Sequence, residues 1–165
     1  MAEESIITEE MRSMVGIESK PSVYEIQSEP IRRWAEAIGD DNSLYHDEEY
    51  ARKSRFGAMI VPPAMIGSYM YPVKSGGPPP KVKSPFWRSL NGGNEYEFYQ
   101  PIRAGDVLTA TAKIVDLQER QGRPGIGRML IQIRETTYKN QHGELVAKRL
   151  NSGITYEGPT EKKGD

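Results

Sequence analysis

Apolar residues recur at helical spacing in the early part of the chain and alternate with polar ones in the later part. In "ITEEMRSMVG" the stripe Ile7, Met11, Met14 and Val15 predicts a short helix, with Thr8 as N-cap, Glu9 and Glu10 in the first turn and Gly16 as the stop. "SVYEIQ" suits a short strand. "SEPIRRWAEAIG" places Ile31, Trp34, Ala35 and Ile38 at i, i+3, i+4 and i+7, with Ser28 as cap, Pro30 in the first turn and Gly39 closing the helix in the left-handed region. "DEEYARK" predicts a further turn or two capped by Asp47. The most apolar run is "AMIVPPAMIGSYMYP". Pro62 and Pro63 favour the start of a helix and forbid its middle, so a helix is expected over Ala64 to Tyr71, apolar nearly all round. "VKSGGPPPKVKSP" reads as a long loop.

After that loop the period changes to two. "NEYEFYQPI", "DVLTATAKIVDLQ", "RMLIQIRETTYKN" and "ELVAKRLNSGITY" read as strands separated by "RAGD", "RQGRPGIG" and "QHG". Four strands in succession predict an antiparallel meander. With the early strand, the expected fold is α+β: a sheet of about five strands wrapped around one mostly apolar central helix, the hot-dog arrangement. One domain over 1–157 with a disordered tail over 158–165 follows. Uncovered edges and apolar surface predict a homodimer or a heteromer with another hot-dog subunit.

Composition narrows the classes. The 165 residues suit one domain, and a net charge of -1 gives no reason to expect a nucleic-acid partner. Cysteine is absent, which removes thiol nucleophiles, disulfides and Cys-based metal sites. No apolar run approaches the roughly 18 residues of a membrane span, so a soluble cytoplasmic protein without a membrane partner is expected.

The candidate chemistry lies in "AIGDDNSLYHDEEYA". Asp40 follows a helix C-terminus, where the dipole favours a protonated carboxyl; equally, it can be a turn-forming Asp. Asn42 can orient Asp40 or simply serve the turn. Tyr45 can donate a hydrogen bond or cover the core beside Leu44. His46 carries the side chain best suited to acid–base work near neutrality, while His142 falls in a solvated turn. The glycines of "GRPGIG" join two strands and open no helix, a weak phosphate signal. Arg52, Lys53, Arg55, Lys81, Lys83 and Arg88 read as a solvated basic rim, and the run Met59 to Tyr71 as core whose methionines adapt to irregular apolar shapes.

Four segments, "IRRWAEAIGDDNSLYHDEEYA", "FGAMIVPPAMIGSY", "LNGGNEYEFYQPIRAGD" and "ETTYKNQHGELVAKR", resemble the MaoC-like hot-dog family of (R)-specific enoyl-CoA hydratases and 3-hydroxyacyl dehydratases, in the branch described as the N-terminal half of MaoC-type dehydratases. The resemblance runs from about Ile17 to Tyr156. It implies reversible syn hydration of a 2-enoyl thioester by an Asp and a His on one face of the substrate. No separate cofactor is implied, and coenzyme A or acyl carrier protein belongs to the substrate. The family motif is Gly-Asp-x-Asn-Pro-x-His. Gly39, Asp40 and Asn42 match it, Ser43 stands for the Pro, and the His falls on Tyr45, with His46 one place late. The resemblance thus makes Asp40 with His46, or Tyr45, the catalytic candidates. It makes Asn42, Pro62, Pro63, Ala64 and Met65 the substrate-binding ones, the last four at the start of the central helix, where backbone N–H groups meet the thioester oxygen. Pro63 has no N–H to give. Within heteromeric members, a sister half that lacks the Asp/His pair shapes the acyl pocket, and this chain resembles that half. Two other readings stay open: a non-catalytic acyl-binding or assembly subunit, and a hot-dog thioesterase. The absence of any acidic residue in "PPAMIGSYMYP" counts against the thioesterase.

Overall fold

A computed structural model describes residues 4–67 and 73–159. Helix α1 (Glu9–Ser13) starts where Thr8 caps it, its hydroxyl accepting the Met11 N–H at 3.2 Å. Strand β1 is Ser22–Glu25 and helix α2 is Ser28–Ile38. Ser28, expected as the cap of α2, is instead its first residue, because the chain is still extended at Gln27 as it leaves β1. Two short helices follow, α3 (Ser43–His46) and α4 (Glu48–Lys53), the second capped by Asp47 as its sequence predicts.

The proline-led segment differs from the expected helix. Pro63–Gly67 is a 3₁₀ turn in which the Met65 N–H donates to the Pro62 carbonyl at 2.9 Å. Two consecutive prolines supply no donors, so the tighter i→i+3 pattern forms first. The rest of the expected helix, residues 68–71, lies outside the described residues. Strand β2 (Val73–Ser75) then occupies the start of what reads as a loop; it pairs with the outer edge of β1, a role that asks only for backbone groups. Gly158, expected to begin a disordered tail, is buried and donates its N–H to the Ile126 carbonyl at 2.8 Å.

The remaining strands are β3 (Arg88–Phe98), β4 (Val107–Gln121), β5 (Arg128–Lys139) and β6 (Leu145–Tyr156). The sheet is antiparallel in the order β2-β1-β4-β5-β6-β3. Only β4, β5 and β6 form the predicted meander. β3 crosses to the far side of β6 and becomes an edge, since the long connection before it lets the chain traverse the sheet. Four long strands, β3 to β6, and two short ones, β1 and β2, thus curl as a hot-dog fold.

One face of β4 buries Leu108, Ala110, Ala112 and Ile114 in strict alternation. A bulge between Ile114 and Asp116 then shifts the register, so Leu117 rather than Asp116 continues that face. The larger cluster joins Ile26, Ile31, Met65 and Ile66 to this face, and Tyr138 on β5 lies between Ala110 of β4 and Ala147 of β6. Two alanines flanking a tyrosine make room for its ring. A second cluster under α1 contains Ile7, Met11, Val82, Ile114 and Leu130. No helix among the described residues is long and apolar enough to cross a membrane.

Two outcomes are expected. Ile31 is fully buried, so Ile31→Ala lowers the unfolding free energy by about 2–4 kcal/mol in urea titrations. Burial pushes the Tyr138 phenol up to about 12, against the opposing charge of Arg149. Below pH ~10 both the folded and unfolded chain keep this proton; between ~10 and about 12 only the folded one does, so stability falls as pH rises. Tyr138→Phe removes that component, flattening the alkaline slope by at most about 1.4 kcal/mol per pH unit.

Candidate functional site

The site is built from the residues that follow α2. Gly39 takes φ 70, which lets its own N–H and that of Asp40 donate back to Glu36 and Ala35 at 3.2 and 2.9 Å and ends the helix. Asp40 Oδ1 then accepts the Asn42 N–H at 3.0 Å. Asn42 Oδ1 accepts the Leu44 N–H at 3.1 Å and so caps α3. His46, at the end of α3, turns its ring back so that Nε2–H donates to the Asp40 carbonyl. A carbonyl only accepts, so this contact fixes the proton on Nε2. Asp47 Oδ1 finally accepts from Glu49 and Tyr50, both at 2.9 Å. Asp40, Asn42 and His46 are thereby joined in one chain of turns, with the polar atoms that make those turns engaged by backbone groups.

Tyr45 points elsewhere. Beside α3 an apolar cleft of about 310 Å³ opens, lined by Tyr45, Phe56, Ile60, Val61 and Pro63. Phe98, Tyr99, Gln100, Pro101 and Ile102 complete the lining. The lining is held by a small ladder: Val61 N–H donates to Ile102 O and Ala104 N–H to Met59 O, both at 2.8 Å. Arg103 Nε adds a bond to the Phe56 carbonyl at 2.8 Å. Burial foremost, then the charge of Asp40, raises the Tyr45 phenol above its usual value, so it stays a neutral donor. No hydrogen-bond partner for its hydroxyl is present among the described residues. Tyr99 is different, since its hydroxyl donates to the Glu97 carboxylate. A larger cleft of about 480 Å³ lies beyond the 57–59 loop, but Gln27, Ser28, Glu48 and Arg52 make it a wet polar groove.

Of the residues suggested for substrate binding, Pro63 lines the apolar cleft. Pro62 and Met65 are buried and are not among the residues lining the cleft. Asn42 caps a helix, and Ala64 is exposed outside the lining. The cleft brings Tyr45 to its wall and leaves His46 out. Sequence reading did not single out Phe56, Phe98, Tyr99, Gln100 or Ile102. The available signal was "EFYQPI", an aromatic pair ahead of a proline at a strand end.

A family model described as "FAS1-like, dehydratase domain region" matches residues 13–149. The chain belongs to the FAS1-like dehydratase region family. Among curated relatives, it is similar to a UPF0336 protein of Streptomyces griseus subsp. griseus, 32% identical over 143 residues that cover 84% of this chain and 90% of that one. It is also 28% identical, over 131 residues, to a probable enoyl-CoA hydratase alpha subunit of Thermomonospora curvata, covering 71% of this chain and 40% of that protein. Solved structures share the fold of this dehydratase-region chain. A MaoC-like dehydratase from Rhodospirillum rubrum superposes with TM-score 0.63 at 23% identity, covering 88% and 94% of the two chains. The ChsH1-ChsH2 complex of Mycobacterium tuberculosis gives 0.69 at 18%, covering 88% and 87%. The HadBC (3R-hydroxyacyl-ACP dehydratase) complex of the same organism gives 0.65 at 20%, covering 86% and 96%.

The bond from His46 to the Asp40 carbonyl ties the end of α2 to α3. His46→Ala is expected to cost about 0.5–1.5 kcal/mol, read as a lower urea midpoint at unchanged m-value.

Proposed function

We propose that this chain is the acyl-holding subunit of a hydratase/dehydratase acting on 2-enoyl or 3-hydroxyacyl thioesters, and that a second hot-dog subunit supplies the Asp/His pair. The observation that carries the reading is the exchange at the motif: Tyr45 stands in the cleft wall at the histidine position, while His46 is bonded away to a backbone carbonyl. Hydration adds water oxygen at Cβ and a proton at Cα, which needs two groups that exchange protons near neutral pH. A phenol held above its usual pKa gives its proton up poorly, so the reacting pair belongs elsewhere. What this chain offers is an apolar groove for the tail and a neutral donor beside it.

The edge of the sheet supports a partner. β3 is 11 residues long, and its outer backbone groups face away from β6. Trp87, Leu90, Phe98 and Tyr99 are 81%, 48%, 43% and 49% exposed along it. A long edge flanked by large apolar side chains is a template for another strand. One relative named as a probable enoyl-CoA hydratase alpha subunit, and neighbours solved as two-subunit complexes, agree with such an assembly.

The test is hydration of a trans-2-enoyl-CoA by the purified chain, alone and mixed with candidate hot-dog subunits. Turnover is expected only in the mixture. There, Asp40→Asn and His46→Ala keep activity within about threefold, while Asp→Asn in the partner's motif abolishes it. Turnover by the lone chain, lost in Asp40→Asn and His46→Ala, would overturn the two-subunit reading. Release of free coenzyme A would replace it with a thioesterase.

A further inference from the structure

The outer face of the sheet reverses the usual sorting of side chains. On β5, Leu130, Gln132 and Tyr138 point to the inner face, where all three are buried. Met129, Ile131 and Ile133 alternate with them and point outward. The ladders set Ile131 opposite Ile154 of β6, and Ile154 opposite Leu90 of β3, so an aliphatic row crosses three strands. Leu150 lies on the same face of β6. None of these side chains is buried, and neither core cluster includes one. Gly92 keeps the row level: a Cβ there would lie 2.9 Å from Ile154 Cδ1, so the missing side chain lets Ile154 lean over β3. An aliphatic sheet face of this kind, left open, marks a contact with another protein.

The charges around the row say which protein. Toward the Leu150 end, Lys113 and Glu135 pair at 3.4 Å and Glu97 stands opposite Lys148, leaving Glu95 as the surplus. At the other end, Arg88 stacks its guanidinium on Trp87 at 4.3 Å from the ring centroid. The row itself ends on β4 at Gln118, opposite Ile131. Gln118 Oε1 accepts from Arg120 Nη2 at 2.9 Å, and Gln118 Nε2 donates to Asp116 Oδ2 at 2.6 Å. Arg120 and Asp116 are both exposed, and their bonded partner is this neutral amide rather than an opposite charge.

A cation, a neutral centre and an anion in line are complementary to a second copy of themselves. A twofold axis running across the strands along the row Leu90, Ile154, Ile131, Gln118 reverses strand direction and keeps each strand over its own counterpart. It sets the aliphatic row on itself and brings Arg120 of each copy to Asp116 of the other. Sheets stacked face to face, about 10 Å apart, interdigitate their facing side chains in this way.

We infer that two copies of this chain stack through these outer faces, aliphatic row on aliphatic row, with Arg120 and Asp116 paired across the contact. The surface is separate from the open backbone edge of β3, so the stacked pair leaves that edge free for a different subunit. The inference stands independently of the acyl-holding reading.

The experiment is sedimentation equilibrium of the full chain alone, at loading concentrations up to about 200 μM. Circular dichroism and the urea midpoint report the fold of each variant. A dimer is expected. Ile131→Asp enters the contact twice and should weaken it by at least about tenfold. Arg120→Asp should weaken it by about three- to tenfold, and adding Asp116→Arg should bring it back to within about threefold of the unaltered chain. The chain has no cysteine, so Ile131→Cys supplies a single thiol that a short bis-maleimide should link to its counterpart across the axis. Thr137→Cys, on the same face of β5 but far from the axis, should not link. A monomer at every concentration would overturn the inference. So would a dimer that Ile131→Asp and Arg120→Asp leave unchanged, because its contact would lie elsewhere. A double variant no tighter than Arg120→Asp alone would overturn it as well.

Discussion

The site depends on one short piece of backbone pairing: the ladder that ties residues 59–61 to 102–104. Val61 and Ala104 each donate to the opposite segment at 2.8 Å, and Arg103 reaches across to the Phe56 carbonyl. These bonds join the non-helical stretch between α4 and the 3₁₀ turn to the turn that enters β4. Without them Phe56, Ile60 and Val61 would have no fixed relation to Phe98 and Ile102, and there would be no groove. Buried backbone groups must be paired somewhere, and here the pairing joins two segments that both line the cleft.

The polar turn after α2 is a second constraint, and it governs the chemistry. Asp40, Asn42 and His46 read as a reactive constellation, yet short polar side chains after a helix C-terminus compete first for nearby backbone groups. Asp40 Oδ1 takes the Asn42 N–H, Asn42 takes the Leu44 N–H, and the His46 ring takes the Asp40 carbonyl. Those bonds leave Tyr45 as the member of the stretch that lines the cleft. A half-buried phenol is a good donor and a poor proton shuttle, which agrees with a role in holding rather than transforming a ligand.

Packing under the sheet follows from size matching. Tyr138 between Ala110 and Ala147 fills the concave face at the level of the 3₁₀ turn. Gly67 sits so close to the Tyr96 hydroxyl that a Cβ there would lie 1.8 Å from it, so the turn carrying Pro63 is seated on β3 by a side chain that only glycine admits. The groove therefore has a rigid base, with an aromatic rim at Tyr45, Phe98 and Tyr99.

Local features were legible because their causes are local. Thr8 and Asp47 as caps, Gly39 as a left-handed stop, and the period-2 strands from Val107 to Tyr156 depend on neighbours a few residues away. The resemblance to the family motif aligned Tyr45 with the histidine position but left open which of Tyr45 and His46 faces the site; of the two, Tyr45 lines the cleft. The sequence did not reveal that β3 crosses to pair with β6, that Val73–Ser75 adds an edge to β1, or that the double proline opens a 3₁₀ turn. Nor did it bring Phe56 and Phe98 to the lining of one cleft. Each of these is a meeting of segments far apart in the chain, decided by which backbone edges were free and which side chains fitted a shared space. Spacing along the chain determines which way a residue points from its own element, and only the tertiary structure decides what it points at.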